Sequence, residues 1–219
     1  GRAESSHEVF PPRVLIVRSI LAIYGAMPWE KQFDVDEVLD RAMRRFWEHG
    51  YAATSMRDLV EATAVNRASL YATYGDKHAL FLKALQRYDE TRRQQVLAEL
   101  EAKHPPREAI RRLFAAFACP GEEEGGHHGC FLTNTALELA SHDPQAAHIV
   151  AHAQRQIEAF FARRIRAGQT SGEIPATIDA ATTARSLLAS LLGLVVLSRS
   201  RPEAALLESI MNTTLRQLD

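Results

Sequence analysis

The chain has 219 residues, enough for one domain or two small ones. Its 46% hydrophobic and 24% charged content is that of a packed globular protein and excludes disorder as the main state. The formal net charge of -1 gives no bulk attraction to an acidic partner, two Cys are too few for a disulfide framework and point to a reducing, cytoplasmic setting, and no apolar run reaches the roughly 20 residues of a membrane span. With 34 Ala and 24 Leu, about a quarter of the chain, composition favours helix over sheet.

Residues 1–26 contain a 13-residue apolar stretch from Val14 to Ala26 with no signal-type cleavage site after it. Met27 is expected to be the natural start, with 1–26 an extension that is not native. Asp34 and Glu37 form a capping box, and Val35, Val38, Leu39, Ala42, Met43, Phe46 and Trp47 then fall on one helical face that Gly50 ends. Ser55 and Asp58 start a short helix to Ala62, and Asn66 caps a second short one over 67–74, where Gly75 breaks it. Asp76 caps a long helix to about Glu101, with Leu80, Phe81, Ala84, Leu85 and Tyr88 buried. Pro105-Pro106 opens a helix to Ala118, and 120–129 is a polar, Gly-rich loop. Helical patterns follow at 130–141, 144–167, 178–198 and 202–218, with 168–175 as a connector. The expected fold class is all-α, with nine helices, no strand and no internal repeat.

Two short helices joined by Thr63-Ala64-Val65 have helix-turn-helix spacing. The stretch from Gly50 to Leu59, and the stretch Ala64-Val65-Asn66-Arg67-Ala68-Ser69-Leu70-Tyr71-Ala72-Thr73-Tyr74-Gly75-Asp76-Lys77-His78-Ala79-Leu80, closely resemble the tetracycline-repressor (TetR) family. The match is dense over about 34–90 and one of helix number and length over 105–219; Ala64 departs from it, since the family usually has Gly there. The resemblance implies a DNA-binding domain over 27–80, with its fourth helix linking to about 101, and an effector-binding and dimerisation domain over 102–219. It also implies DNA-contacting roles for Thr54, Ser55, Arg57, Arg67, Ala68, Ser69, Tyr71, Ala72, Thr73 and Lys77. In physical terms Arg67 suits bidentate pairing to guanine, Ala68, Ala72 and the Thr73 methyl suit thymine methyls, and Leu70 and Tyr74 suit core packing. Thr54 and Ser55 also read as plain helix caps. Residues 34–90 hold 8 Lys+Arg and 10 Asp+Glu, so affinity must rest on local placement and on pairing of two domains.

The penultimate helix is apolar nearly all round, so a second copy is expected to cover what its own chain leaves bare. Leu188, Leu192, Val195 and Val196 with Leu207, Ile210, Met211 and Leu215 are the expected homodimer interface, and Ala189 and Gly193 permit close approach. A two-fold dimer sets recognition helices about 34–36 Å apart, matching a palindromic operator. Cys130, Asn134 and Glu138 form one polar stripe at i, i+4, i+8. Gly129-Cys130 with that stripe resembles a TetR subgroup containing the N-ethylmaleimide reductase repressor, where the matching Cys senses electrophiles and oxidants. Phe114, Phe117 and Phe160 suit either an effector cavity or a core. A metal at His127, His128, Cys130 and His142, or at His148 and His152, lacks any supporting motif, so no metal and no cofactor is expected. The expected function is a ligand- or redox-responsive repressor with double-stranded DNA, a small-molecule effector and a second copy as partners, and no membrane. The alternatives are a cysteine-dependent hydrolase at Cys130 and a helical interaction protein that has lost DNA binding.

Overall fold

A computed structural model describes residues 33–118 and 128–219. The expectations for the N-terminal extension, Met27, Cys119, His127 and most of the Gly-rich loop lie outside the described residues. Among the described residues the chain forms nine helices and no strand. Helix α1 (Val35–His49) buries Val38, Ala42, Met43 and Phe46, the expected stripe, and ends where Gly50 adopts a φ of 81°. Helix α2 (Met56–Thr63) is capped by Ser55 in a reciprocal box with Asp58, and α3 (Arg67–Tyr74) by Asn66, whose side chain accepts from the Ser69 N–H at 2.9 Å. Between them Ala64 adopts φ 56°, ψ 22°, left-handed backbone that costs a residue with a Cβ about 1–2 kcal/mol. Val65 then plugs the angle between the two helices at 6% exposure.

Helix α4 covers 77–103 as one rod: Lys77–Tyr88, a six-residue π-helical stretch Asp89–Gln94, and Gln95–Lys103. The wide turn is held by Asp89, which is buried and accepts from the Arg93 guanidinium through both carboxylate oxygens and from Gln94 at 3.0 Å. Arg87, two residues earlier, binds Asp40 of α1 in a fork at 2.9 and 3.1 Å and so fixes the rod against the first helix.

Helices α5 (Pro106–Ala118), α6 (Phe131–Glu138), α7 (Pro144–Ser171), α8 (Ala180–Ser200) and α9 (Ala204–Leu215) build the remainder, followed by a 3-10 turn Arg216–Leu218. Their shared core is Ile110, Phe114, Phe160, Phe161, Ile165, Leu187 and Leu194, with Phe114 and Phe161 stacked at 5.9 Å. Two boundaries differ from expectation. Helix α6 stops at Glu138 instead of 141, because Leu139 leaves helical geometry and a turn leads to the Asp143 cap of α7. Helix α7 runs past Gly168 to Ser171; Gly168 is buried under Ile174, where a Cβ would meet the Ile174 side chain at 2.6 Å, so this glycine serves packing and not termination.

Replacing Ala64 by Gly removes the left-handed strain without touching a contact. The expected result is about 1 kcal/mol of added stability and a melting temperature higher by about 2–4 °C in thermal denaturation.

Candidate functional site

The outward face of α3 is built by what its inward face buries. Leu70 is 1% and Tyr74 6% exposed, and the Tyr74 hydroxyl donates to the Val35 carbonyl at 3.0 Å. That leaves Arg67, Ala68, Tyr71 and Ala72 exposed and Ser69 and Thr73 half-buried on the opposite side. The Arg67 guanidinium donates to the Tyr71 hydroxyl at 3.2 Å and lies 5.4 Å from the Tyr71 ring centroid. Arg57, on α2, is exposed. The assembly presents a short convex rod with a cation at its N-terminal end and two methyl-bearing positions behind it.

Three expected contacts look different in three dimensions. Thr54 is fully buried, and its hydroxyl donates to the Gly50 carbonyl at 2.7 Å, so its side chain closes the loop after α1 and is withdrawn from any surface. The Ser55 hydroxyl is occupied by its capping box, donating to Asp58 at 2.7 Å. Hydrogen bonds from Ser55 hold the Asp58 carboxyl below its usual range. Lys77 is half-buried with its ammonium 4.3 Å from the Tyr51 ring centroid. Burial lowers the Lys77 pKa, and Glu138 and Asp58 work against that fall.

The polar stripe of α6 splits. Glu138 points at the DNA-reading end: its carboxylate accepts from the Tyr51 N–H at 3.1 Å and the Ala52 N–H at 2.8 Å. Asn134 faces the same side and donates to the His128 carbonyl at 2.9 Å. Both are engaged with main chain, and neither lines the cavity that holds Cys130. An aromatic cluster backs this junction, Phe81 meeting Phe46 at 5.2 Å, Tyr51 at 4.9 Å and Phe131 at 5.6 Å. A second tie joins His78 of α4 to Asp143 at 2.7 Å. Burial pushes the Asp143 carboxyl up, but the N–H of Ala146 and the His78 ring outweigh it and hold the pKa below normal. Sequence reasoning missed Asp143 and His78; a cap residue ahead of Pro144 was the one visible signal.

Cys130 lies elsewhere, in the wall of a cavity of about 220 Å³ between α4, α5, α6, α7 and α8. Phe117 lines it with Cys130. Phe114 and Phe160 do not; both are fully buried core, the other of the two roles open to them. The half-buried Cys130 adjoins Tyr88, whose phenol is pushed well up by burial, with Cys130 adding to the shift. No cluster of three or more metal-ligating side chains occurs among the described residues.

The expected interface residues also divide. Val195, Leu207 and Met211 are buried within their own chain and belong to its core. Leu188, Leu192, Ile210 and Leu215 are half-buried, and Val196 is 37% exposed beside exposed Ala189 and Gly193. Helix α8 is in fact long and apolar enough to cross a membrane by length and composition, with a mean hydropathy of 1.7, although only 28% of that apolar window is buried.

Replacing Glu138 by Ala deletes the acceptor for two backbone donors. Amide hydrogen exchange should accelerate at Tyr51 and Ala52, with a stability loss of about 1–2 kcal/mol, while the amides of α8 keep their protection.

Comparison with known proteins agrees with this geometry. Residues 38–84 match the family described as bacterial regulatory proteins, tetR family, and residues 106–214 match the tetracyclin repressor-like C-terminal domain. The chain is 34% identical to the uncharacterized HTH-type transcriptional regulator YezE of Bacillus subtilis, covering 86% of this chain and 98% of that one. It is also 34% identical to the HTH-type transcriptional repressor ComR of Escherichia coli, covering 85% and 89%. A solved complex of a cysteine mutant of the TetR family transcriptional regulator CifR with a 26-base-pair operator duplex superposes with a TM-score of 0.75 at 26% identity, covering 85% of this chain and 97% of that one. A helix-turn-helix with an outward third helix, carried on a helical core that these relatives share from end to end, places the chain in the tetR family of bacterial regulatory proteins.

Proposed function

We propose that the protein is a transcriptional repressor that binds a palindromic operator as a homodimer and releases it when its helical cavity is occupied. The observation that carries this reading is the outward face of α3, where Arg67, Ala68, Tyr71 and Ala72 are exposed on a capped, buried scaffold. Such a rod fits a major groove, with Arg67 opposite guanine and the alanines and Thr73 beside thymine methyls. Arg57 and Lys77 flank it, Arg57 as a cation beside the groove and Lys77 as a phosphate contact. The domain carries more acid than base, so a single copy gains little from counterion release and two must act together.

The bare flank of α8 supplies the pairing. Ala189, Gly193 and Val196 leave a smooth apolar strip, and a Cβ on Gly193 would meet nothing within 4 Å. A second copy of α8 and α9 covers that strip about a two-fold axis. Regulation follows from the rod α4, which carries Lys77 and His78 at its DNA-reading end and Arg92, Arg93 and Val96 in the cavity wall. A molecule that prefers one setting of the rod shifts DNA affinity, and DNA shifts affinity for that molecule by the same factor. Cys130 belongs to the same wall, so a reagent that attaches to its thiol and a ligand that fills the cavity act at one place.

The reading is tested by mobility shift on the DNA upstream of the protein's own gene, where a single retarded species of dimer stoichiometry is expected. Arg67→Ala should weaken that complex about 10- to 100-fold with the melting temperature unchanged, since Arg67 is exposed and its hydrogen bond is to the exposed Tyr71. Val196→Glu should turn the dimer into a monomer in sedimentation velocity and abolish the shift. A monomeric wild type, or a dimer indifferent to Val196→Glu, overturns the assigned interface.

A further inference from the structure

The cavity beside Cys130 has an unequal set of polar groups. Most of its wall is hydrocarbon, from Val96, Leu97, Leu113, Ile157, Leu191 and Leu192. The polar remainder is donor-rich: Arg92, Arg93, the Thr133 hydroxyl, the Tyr88 hydroxyl, which is engaged with the Cys130 side chain and the Phe131 backbone, and Trp47, whose indole N–H is buried without a hydrogen-bond partner among the described residues. Among the described residues no Asp, Glu or His lines it. The two arginines are not equivalent. Arg93 is spent, since its guanidinium is held in a fork by the buried carboxylate of Asp89, which also accepts from Gln94. Arg92 is exposed and makes no ion pair with any described residue. The wide π turn of α4 places both at the cavity while keeping the balancing acid on Arg93 alone.

We infer that the cavity takes a compact apolar acid, a short or medium aliphatic or aryl carboxylate, with its hydrocarbon among the leucines and its carboxylate at Arg92. This inference rests on the reading of the cavity as the effector site and names the class of molecule that fills it. A ligand amine faces uncompensated positive charge in such a site. A purely apolar ligand fills the hydrocarbon part but leaves the donors unpaired. A carboxylate meets both requirements, and a guanidinium binds it in a fork. The volume of about 220 Å³ suits a free small acid.

The test uses the full chain and three probes of equal length, octanoate, octan-1-ol and octylamine, by isothermal titration calorimetry near neutral pH. Octanoate should bind at least about tenfold more tightly than octan-1-ol, and octylamine should show no heat of binding. Arg92→Gln, at an exposed position, should bring octanoate down to the level of octan-1-ol and leave octan-1-ol unchanged. Equal binding of the three probes, tighter binding of the alcohol, no binding of octanoate, or octanoate binding indifferent to Arg92→Gln each overturns the inference. Mobility shift without any probe is run beside it. Intact DNA binding with no octanoate binding removes this inference alone, and octanoate binding without DNA binding removes the repressor reading alone.

Discussion

The carboxylate of Glu138 on the backbone N–H groups of Tyr51 and Ala52 is the contact on which the arrangement turns. Helix α1 has to end before the helix-turn-helix begins, and its end leaves polar backbone without helical partners. Gly50 gives the bend, Thr54 closes the loop from within, and a side chain from 86 residues further along the chain supplies the missing acceptor. The fit is tight: a Cβ at position 50 would lie 2.8 Å from Glu138 Oε2. The DNA-reading end is therefore seated by hydrogen bonds to main chain, which fix orientation more sharply than apolar contact does.

The same junction touches the cavity. Trp47 packs on Tyr88 at 5.1 Å and lines the wall, and Tyr88 packs on Phe131 at 5.7 Å, which in turn meets Phe81 beneath Tyr51. A continuous train of rings thus runs from cavity to turn, in a protein interior that transmits displacement because it is close-packed. His78 and Asp143 tie the other flank of the rod. Packed rings therefore connect the cavity wall to the turn after α1 at which Glu138 binds.

The local code of this fold was readable residue by residue. Ser55, Asn66, Asp76 and Gly50 announce helix ends by short-range chemistry that the structure reproduces. The resemblance implied the buried Leu70 and Tyr74 and the outward Arg67, Ala68 and Ala72 of α3, while Ser69 and Thr73, also expected outside, are half-buried. What was not legible depends on residues far apart in the chain. Glu138 and Asn134 read correctly as one face of α6, but the identity of the surface opposite that face is set by tertiary packing. Phe114 and Phe160 carry the same signature whether they line a cavity or fill a core. The stripe of α4 faded after Tyr88 because its later buried positions, Asp89, Arg93 and Leu97, advance by four residues where an ideal helix needs 3.6. Gly168 looked like a stop because its small size, here needed to admit Ile174, is also what ends helices.

That four-residue advance lets the rod hold one residue more than an ordinary helix would between the same two flanks. Each residue of an ideal helix turns the backbone by about 100°, and each residue of the wide stretch by only about 90°. Deleting one position between 89 and 94 would therefore restore an ordinary helix with both flanks close to their present phase, and would remove the widened turn in which Asp89 holds Arg93 and Gln94. The extra rung is a local graft on the rod, and shortening by one residue should cost that clasp and little else.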